Sequence, residues 1–297
     1  GKVHSDAVSS YDERWLDVMT NSKALRQEYL FGVNGGNDRT KYALSFGYLD
    51  DNGILITTNF KRYTFRASVD QEINSWMKAG VSTSYGYTKS NQQTIASGSY
   101  TSNAWYTAQF MAPIYPLYIR DANGLIMKDH NGFTMYDYGD AKEANFVRAF
   151  MNQSNPASAI ALDKNLGKND MFTGNFSATA ELYDGLKATA KVALAYFGSR
   201  YQMTLNPYYG QFAAMGGQAS VEADRMFTFN QQYLLTYVKD FGAHSVDVLA
   251  GYESYKYTTS YVYGTQTKLF NPDIAELGNA ILQPSTGSAT DSYAVQG

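Results

Sequence analysis

The sequence predicts an all-β fold, an antiparallel meander of about eight long strands that forms part of a larger transmembrane β-barrel. Its long loops carry short helices. Three observations predict this. Apolar and polar side chains alternate with period two over segment after segment. Each segment runs to roughly ten residues, beyond the five or six of ordinary globular strands. The connections also alternate, short at one end of the strands and mostly long at the other.

The alternation assigns the faces. Tyr42, Leu44, Phe46 and Tyr48 oppose Lys41, Ala43, Ser45 and Gly47. Tyr63, Phe65, Ala67 and Val69 oppose Arg62, Thr64, Arg66, Ser68 and Asp70. Met77, Ala79, Val81, Tyr85 and Tyr87 oppose Lys78, Gly80, Ser82, Ser84 and Gly86. The pattern resumes at Phe172–Glu181, Leu186–Tyr196, Phe227–Tyr237 and Ser245–Glu253, and a weaker strand lies near Gln27–Asn34. A soluble sandwich would alternate too, but in shorter strands and without sorting its loops by side.

Short turns are expected at Gly35–Asp38, Ile73–Ser75, Asp184-Gly185 and Lys239–Gly242. The other connections cover 49–58, about 89–169, about 201–224 and everything after about 256, and outer-membrane barrels sort their loops in this way. Within the long stretch, Asn155-Pro156 reads as a helix N-cap with proline at the first helical position. Asp121-Ala-Asn-Gly, Asp129-His-Asn-Gly and Tyr138-Gly-Asp signal small hairpins. Residues 11–25 could form a short amphipathic helix with Trp15, Val18 and Met19 on one side.

Composition excludes several classes. The longest apolar stretch, Phe110–Ile119, holds two prolines, whereas a spanning helix needs about 20 apolar residues. A net charge of −3 gives no basic field for nucleic acid. With no cysteine, disulfide scaffolds, zinc–thiolate sites and a cysteine nucleophile all fall away. His4, His130 and His244 lie far apart without partners at metal-binding or catalytic spacing, so no catalytic residue, metal site or cofactor is assigned. Asp121–Gly124 and Asp50–Gly53 lack the spaced oxygen ligands and closing acid of a calcium loop, and read first as turns.

The charges Arg62, Arg66, Asp70, Lys78, Glu181, Lys187 and Lys191 share the polar face. On a lipid face each would cost several kcal/mol near the midplane, so they are expected to face the lumen. There they could pack as a charge network or line a solute path. Tyr48, Tyr85, Tyr87, Tyr196 and Tyr252 are placed toward the long-loop ends as an interfacial girdle. The loop aromatics Trp105, Tyr106, Tyr115, Tyr118, Tyr208 and Tyr209 are candidates for stacking on a substrate, although loop packing would also use them.

One run is family-specific. Gly35-Gly36-Asn37-Asp38-Arg39-Thr40-Lys41-Tyr42-Ala43-Leu44-Ser45-Phe46-Gly47-Tyr48-Leu49-Asp50 resembles a motif of the SusC/RagA-type TonB-dependent transporters of Bacteroidetes. The likeness continues through Asp51–Ile54, Asn59–Arg66 and Trp76–Gly80, with looser similarity at Trp15-Leu16-Asp17 and Asn155-Pro156. Asp291–Gly297 resembles the lead-in to a further strand. The resemblance implies a lead-in segment at 1–25 and a partial TonB-dependent receptor barrel at 26–297, with the plug domain and TonB box absent. It further implies an outer-membrane importer of oligosaccharides or peptides. The implied partners are a SusD-like surface lipoprotein, TonB acting through the plug, and outer-membrane lipid. The alternative reading is a passive porin or a surface-exposed β-rich adhesin.

Overall fold

A computed structural model describes residues 11–93, 103–130, 132–140, 144–145, 147–152, 154–210, 212–282 and 287–296, with Leu282 and the last stretch known by backbone alone. Eight long strands follow one another as antiparallel neighbours: β1 (Arg26–Gly36), β2 (Thr40–Asn52), β3 (Asn59–Asn74), β4 (Met77–Asn91), β5 (Lys164–Tyr183), β6 (Leu186–Leu205), β7 (Gln218–Phe241) and β8 (His244–Leu269). A short β9 (Ala280–Leu282) and a longer β10 (Gly287–Gln296) both pair with β8. The segment expected to lead into a further strand is therefore itself mostly strand.

The four short turns hold where expected, each closed by side-chain or glycine chemistry. The Asn37 carboxamide oxygen accepts from the Arg39 and Thr40 amides at 2.8 Å each. Asn74 accepts from the Trp76 amide in the second turn. Gly185, at φ +82°, lies so close to Val238 O that any Cβ would collide with it. Gly242 takes φ +63° in the fourth.

The register is staggered. Lys41, at the turn end of β2, lies level with Asp70, yet β3 runs on to Asn74. Met77 pairs with Ala180, yet β5 runs on to Tyr183. Leu186 pairs with Tyr237, yet β7 runs on to Phe241. Each hairpin tip thus steps beyond the last, as it must when tilted strands close a barrel.

Register also joins side chains that are distant in sequence. Phe31, Phe46, Phe65, Tyr85, Phe172, Tyr196 and Phe227 form one unbroken cross-strand row from β1 to β7. Phe31 is 68% and Phe46 47% exposed. Val69, Val81 and Phe176 lie on the same face nearer the turns, and Arg62 and Arg66 on the other. So wide an exposed apolar face requires a covering phase.

Strand length is where the structure departs most from expectation. The eight long strands run from 11 residues in β1 to 26 in β8. They continue past the apolar band, where both faces turn polar and period two loses its contrast. The connection expected over about 201–224 shrinks to 206–217, and β8 extends past 256 to Leu269. The residues of the expected girdle do share the apolar face, but Tyr196 sits mid-strand and Tyr252 nearer the turn end of β8. The expected helix over 11–25 is only Trp15–Met19 (α1), with Trp15 and Met19 buried and Val18 exposed.

The face assignment is directly testable. Val81→Arg places a cation on the apolar face between Val69 and Phe176. It should destabilise the full-length protein in lipid by about 2–4 kcal/mol. Ser82→Arg, one residue on, should cost little. Denaturant midpoints of the refolded protein in vesicles read the difference, and equal losses would contradict the assignment.

Candidate functional site

The buried hydrophobic core lies beyond the long-loop end of the sheet. There α1 packs against α2 (Ala104–Phe110) and α3 (Pro156–Leu162). Trp15, Met19, Ala104, Ala108, Met111, Leu117, Ala157 and Ile160 make one cluster. Asn103 caps α2 by accepting from the Tyr106 amide, and Asn155 caps α3 by accepting from Ser158, with Pro156 following as the sequence predicts.

Asn155 does more than cap. Its buried Nδ2 donates to Leu117 O and Asp137 O, both at 2.9 Å, tying α3 to two loop strands. The Asp137 carboxylate accepts from the Gly139 and Asn145 amides at 2.8 and 2.9 Å. Burial pushes its acidity weaker, and those two amides oppose the shift. Arg148, only 2% exposed, donates to Ser154 O at 2.7 Å and lies 5.7 Å from the centre of the Tyr115 ring. Burial lowers its pKa while Asp137 raises it. Gly139 takes φ +64°, and a Cβ there would overlap the Arg148 side chain.

Two of the expected hairpins form, with bridges between Arg120 and Ile126 and between Lys128 and Thr134, and a further bridge joins Tyr118 to Tyr136. The Tyr138-Gly-Asp turn runs into residues 141–143, outside the described residues. Asp121 accepts from the Asn123 and Leu125 amides, both at 2.9 Å, so its carboxylate builds the turn. Asp50 is engaged by Lys61 at 3.0 Å and by the Tyr48 hydroxyl at 3.0 Å.

The six aromatic candidates separate into groups. Tyr208 and Tyr209 join Tyr118 through a chain of ring contacts that runs Phe133–Tyr208–Tyr209–Tyr136–Tyr118, with Tyr138 stacked on Tyr209 at 6.0 Å. Trp105 and Tyr106 are exposed on α2, where Tyr106 packs on Phe110 at 4.7 Å. Tyr115 packs against the helical core. Phe133, Tyr136 and Tyr138 were not anticipated. The paired Asp-x-Asn-Gly turns were the available signal, because they fold Tyr136 back beside Tyr118.

One carboxylate supports this cluster. Asp163, the C-cap of α3, accepts from the Asn206 amide at 2.9 Å and from Asn206 Nδ2 at 2.8 Å. Asn206 Oδ1 in turn accepts from the Tyr208 and Tyr209 amides. Tyr138 closes the circuit by donating to Ser158 Oγ at 2.6 Å.

The seven charges all lie on the polar face. Arg62 pairs with Glu28 at 3.1 Å, Lys78 pairs with Glu72, and Glu181 stands opposite Lys187 in register. Arg66 lies between Ser45 and Ser84. Asp70 and Lys191 line a depression of about 340 Å³ with Asn175, Ser177, Asn230 and Gln232. Gly80 keeps it open, since a Cβ there would come within 2.8 Å of the Asp70 carboxylate. His130 and His244 sit in loop and strand end, and His4 lies outside the described residues.

A staggered antiparallel wall, apolar on one face and polar on the other, with folded loops at one end, has the architecture of the barrel region of an outer-membrane-type protein. Comparison with known proteins gives the class within that architecture. No family model matches the chain. It is 25% identical to TonB-dependent receptor P3 of Formosa agariphila over 92% of its length and 26% of the relative's. It is 23% identical to TonB-dependent receptor SusC of Bacteroides thetaiotaomicron over 80% of its length and 23% of the relative's. The fold matches the RagAB peptide importer in its closed-closed state with a TM-score of 0.68 and 19% identity, over 96% of this chain and 30% of the other. The open-open state gives a TM-score of 0.66. The chain therefore resembles part of the barrel region of SusC/RagA-type TonB-dependent transporters, and spans about a quarter of the length of the curated relatives. These relatives are receptors and transporters, not enzymes.

The Asp163–Asn206 tie sets a pH dependence. Burial pushes the Asp163 pKa up to about 6, above its ordinary value of 3.8. Its contribution to loop stability is thus complete below the ordinary value and is lost as pH rises through about 6. Asp163→Asn keeps an acceptor toward Asn206 and removes the charge. Near pH 8 it should slow hydrogen exchange at Asn206, Tyr208 and Tyr209, by up to about two powers of ten. The gain over wild type should vanish near pH 4, and a gain independent of pH would contradict the assignment.

Proposed function

We propose that this chain is part of the barrel and extracellular face of an outer-membrane TonB-dependent nutrient importer acting with a SusD-like surface lipoprotein. The reading rests on one observation above all. The long-loop end of an externally apolar wall carries a folded unit with its own core, buried polar clamp and aromatic cluster. A loop that only linked strands would need none of these.

In this reading the apolar face meets lipid and the polar face lines the lumen. Arg62, Arg66, Asp70, Lys78, Glu181, Lys187 and Lys191 then face the plug or the solute path, and TonB acts through the plug. The loop unit covers the barrel mouth. Tyr118, Tyr208 and Tyr209, with Trp105 and Tyr106 on α2, are the surfaces on which a cargo stacks or a lid protein rests. Aromatic faces suit sugar rings, so an oligosaccharide is the favoured cargo. A peptide is the alternative, since the RagAB match is a peptide importer.

Deleting residues 98–160 from the full-length transporter should leave barrel insertion intact and abolish uptake of the cognate nutrient. Tyr208→Ala/Tyr209→Ala should lower uptake about tenfold at limiting nutrient, the loss of one or two stacking contacts. Whole cells supplied in parallel with labelled oligosaccharide and labelled peptide pools report both effects and the cargo class. Unchanged uptake after the deletion would overturn the proposal.

A further inference from the structure

Register places a line of cations on the outer, apolar-face side, just beyond the aromatic rows. Lys61 of β3 stands opposite Lys89 of β4, Lys89 opposite Lys168 of β5, and Lys168 opposite Arg200 of β6. Paired strands lie about 4.8 Å apart, and like charges set directly opposite destabilise a sheet. On the turn side the neighbouring row begins with Tyr48, Tyr63 and Tyr87. The next is the row of phenylalanines and tyrosines that crosses seven strands. The cations thus stand at the upper margin of the apolar face, with their backs to the seven charges of the polar face.

The ends of the line are neutralised within the protein. Asp50 pairs with Lys61 at 3.0 Å, and Glu276 pairs with Arg200 at 2.5 Å. The middle is not. Lys89 and Lys168 have no carboxylate within ion-pair distance among the described residues. The nearest acid on that face, Asp170, instead accepts from the Tyr85 hydroxyl at 2.5 Å. Two adjacent ammonium groups, one exposed and one half-buried, lie between satisfied ion pairs and outnumber the Asp170 carboxylate, which leaves room for an external anion.

The geometry points to a phosphate-bearing lipid headgroup of the outer leaflet, bound between Lys89 and Lys168 with its acyl chains on the aromatic rows below. A phosphomonoester carries close to two negative charges at neutral pH and accepts from both ammonium groups at once. A dissolved anion would use the lysines alone. A lipid also uses the aromatic band, and the face on which the pair lies is the one that meets the bilayer. The inference rests on the outer-membrane reading above.

The test uses the full-length transporter containing this chain, extracted from outer membranes in mild detergent. Retained lipid phosphate is measured by phosphorus analysis and native mass spectrometry. Lys89→Gln/Lys168→Gln should lose about tenfold or more of the retained phosphorylated lipid. Lys89→Arg/Lys168→Arg should keep it, which separates charge from folding. Arg62→Gln/Arg66→Gln, on the polar face, should also keep it. Rebinding should occur from micelles of phosphorylated lipid A and fail with the dephosphorylated lipid, and excess inorganic phosphate should not displace the lipid. Equal retention in the Gln pair, equal rebinding of both lipids, or displacement by inorganic phosphate would each overturn the inference while leaving the importer reading intact. A full-length protein absent from the outer membrane would overturn both.

Discussion

Each strand of this sheet satisfies its backbone through its neighbours, and the rest of the structure follows from that pairing. In lipid no water can take an unpaired amide or carbonyl, so strands cross only as members of a continuous ladder. From β1 to β8 that ladder is unbroken and follows chain order. Among the described residues it ends at two open edges, β1 and β10. An edge of that kind is a template for another strand, as in the wall of a barrel.

Pairing also decides which side chains meet. A shift of one residue in any register would exchange the two faces of a strand. If β3 slipped, Phe65 would share a face with Lys78 of β4 and Lys41 of β2, and the apolar band would break. The same rule fixes the polar depression around Asp70 and Lys191, assembled from residues more than a hundred positions apart. The loop unit obeys other physics. Its burial comes from short helices and is secured by hydrogen bonds that Asn155, Asp137 and Arg148 make inside the unit. The wall is organised by strand pairing and alternation, the loop unit by its own small core.

Much of this was legible in sequence. Alternation gave the faces of seven of the eight long strands, with β1 read only as a weaker strand, and asparagine and glycine marked the four tight turns. The strand ends were not legible. In β8 the run Thr258-Thr259-Ser260 offers no contrast between faces, yet it continues the ladder. Nor was the aromatic cluster, because Tyr118, Tyr136 and Tyr209 meet only after two hairpins and a separate loop fold together. Asp163 gave no signal either, since its role depends on Asn206, which lies on another connection. Lys61, Lys89 and Lys168 are unremarkable singly, and only the register puts them side by side.

The most direct test of the two-faced wall is site-specific labelling of the full-length protein in vesicles. This chain contains no cysteine, so within it each introduced thiol is unique. Cysteine at Val69, Val81 or Phe176 should resist a membrane-impermeant maleimide, and a fluorophore there should be quenched by lipid-borne bromine. Cysteine at Ser68, Ser82 or Asn175 should behave in the opposite way on both counts. Equal labelling at neighbouring positions such as Ser68 and Val69 would contradict the account.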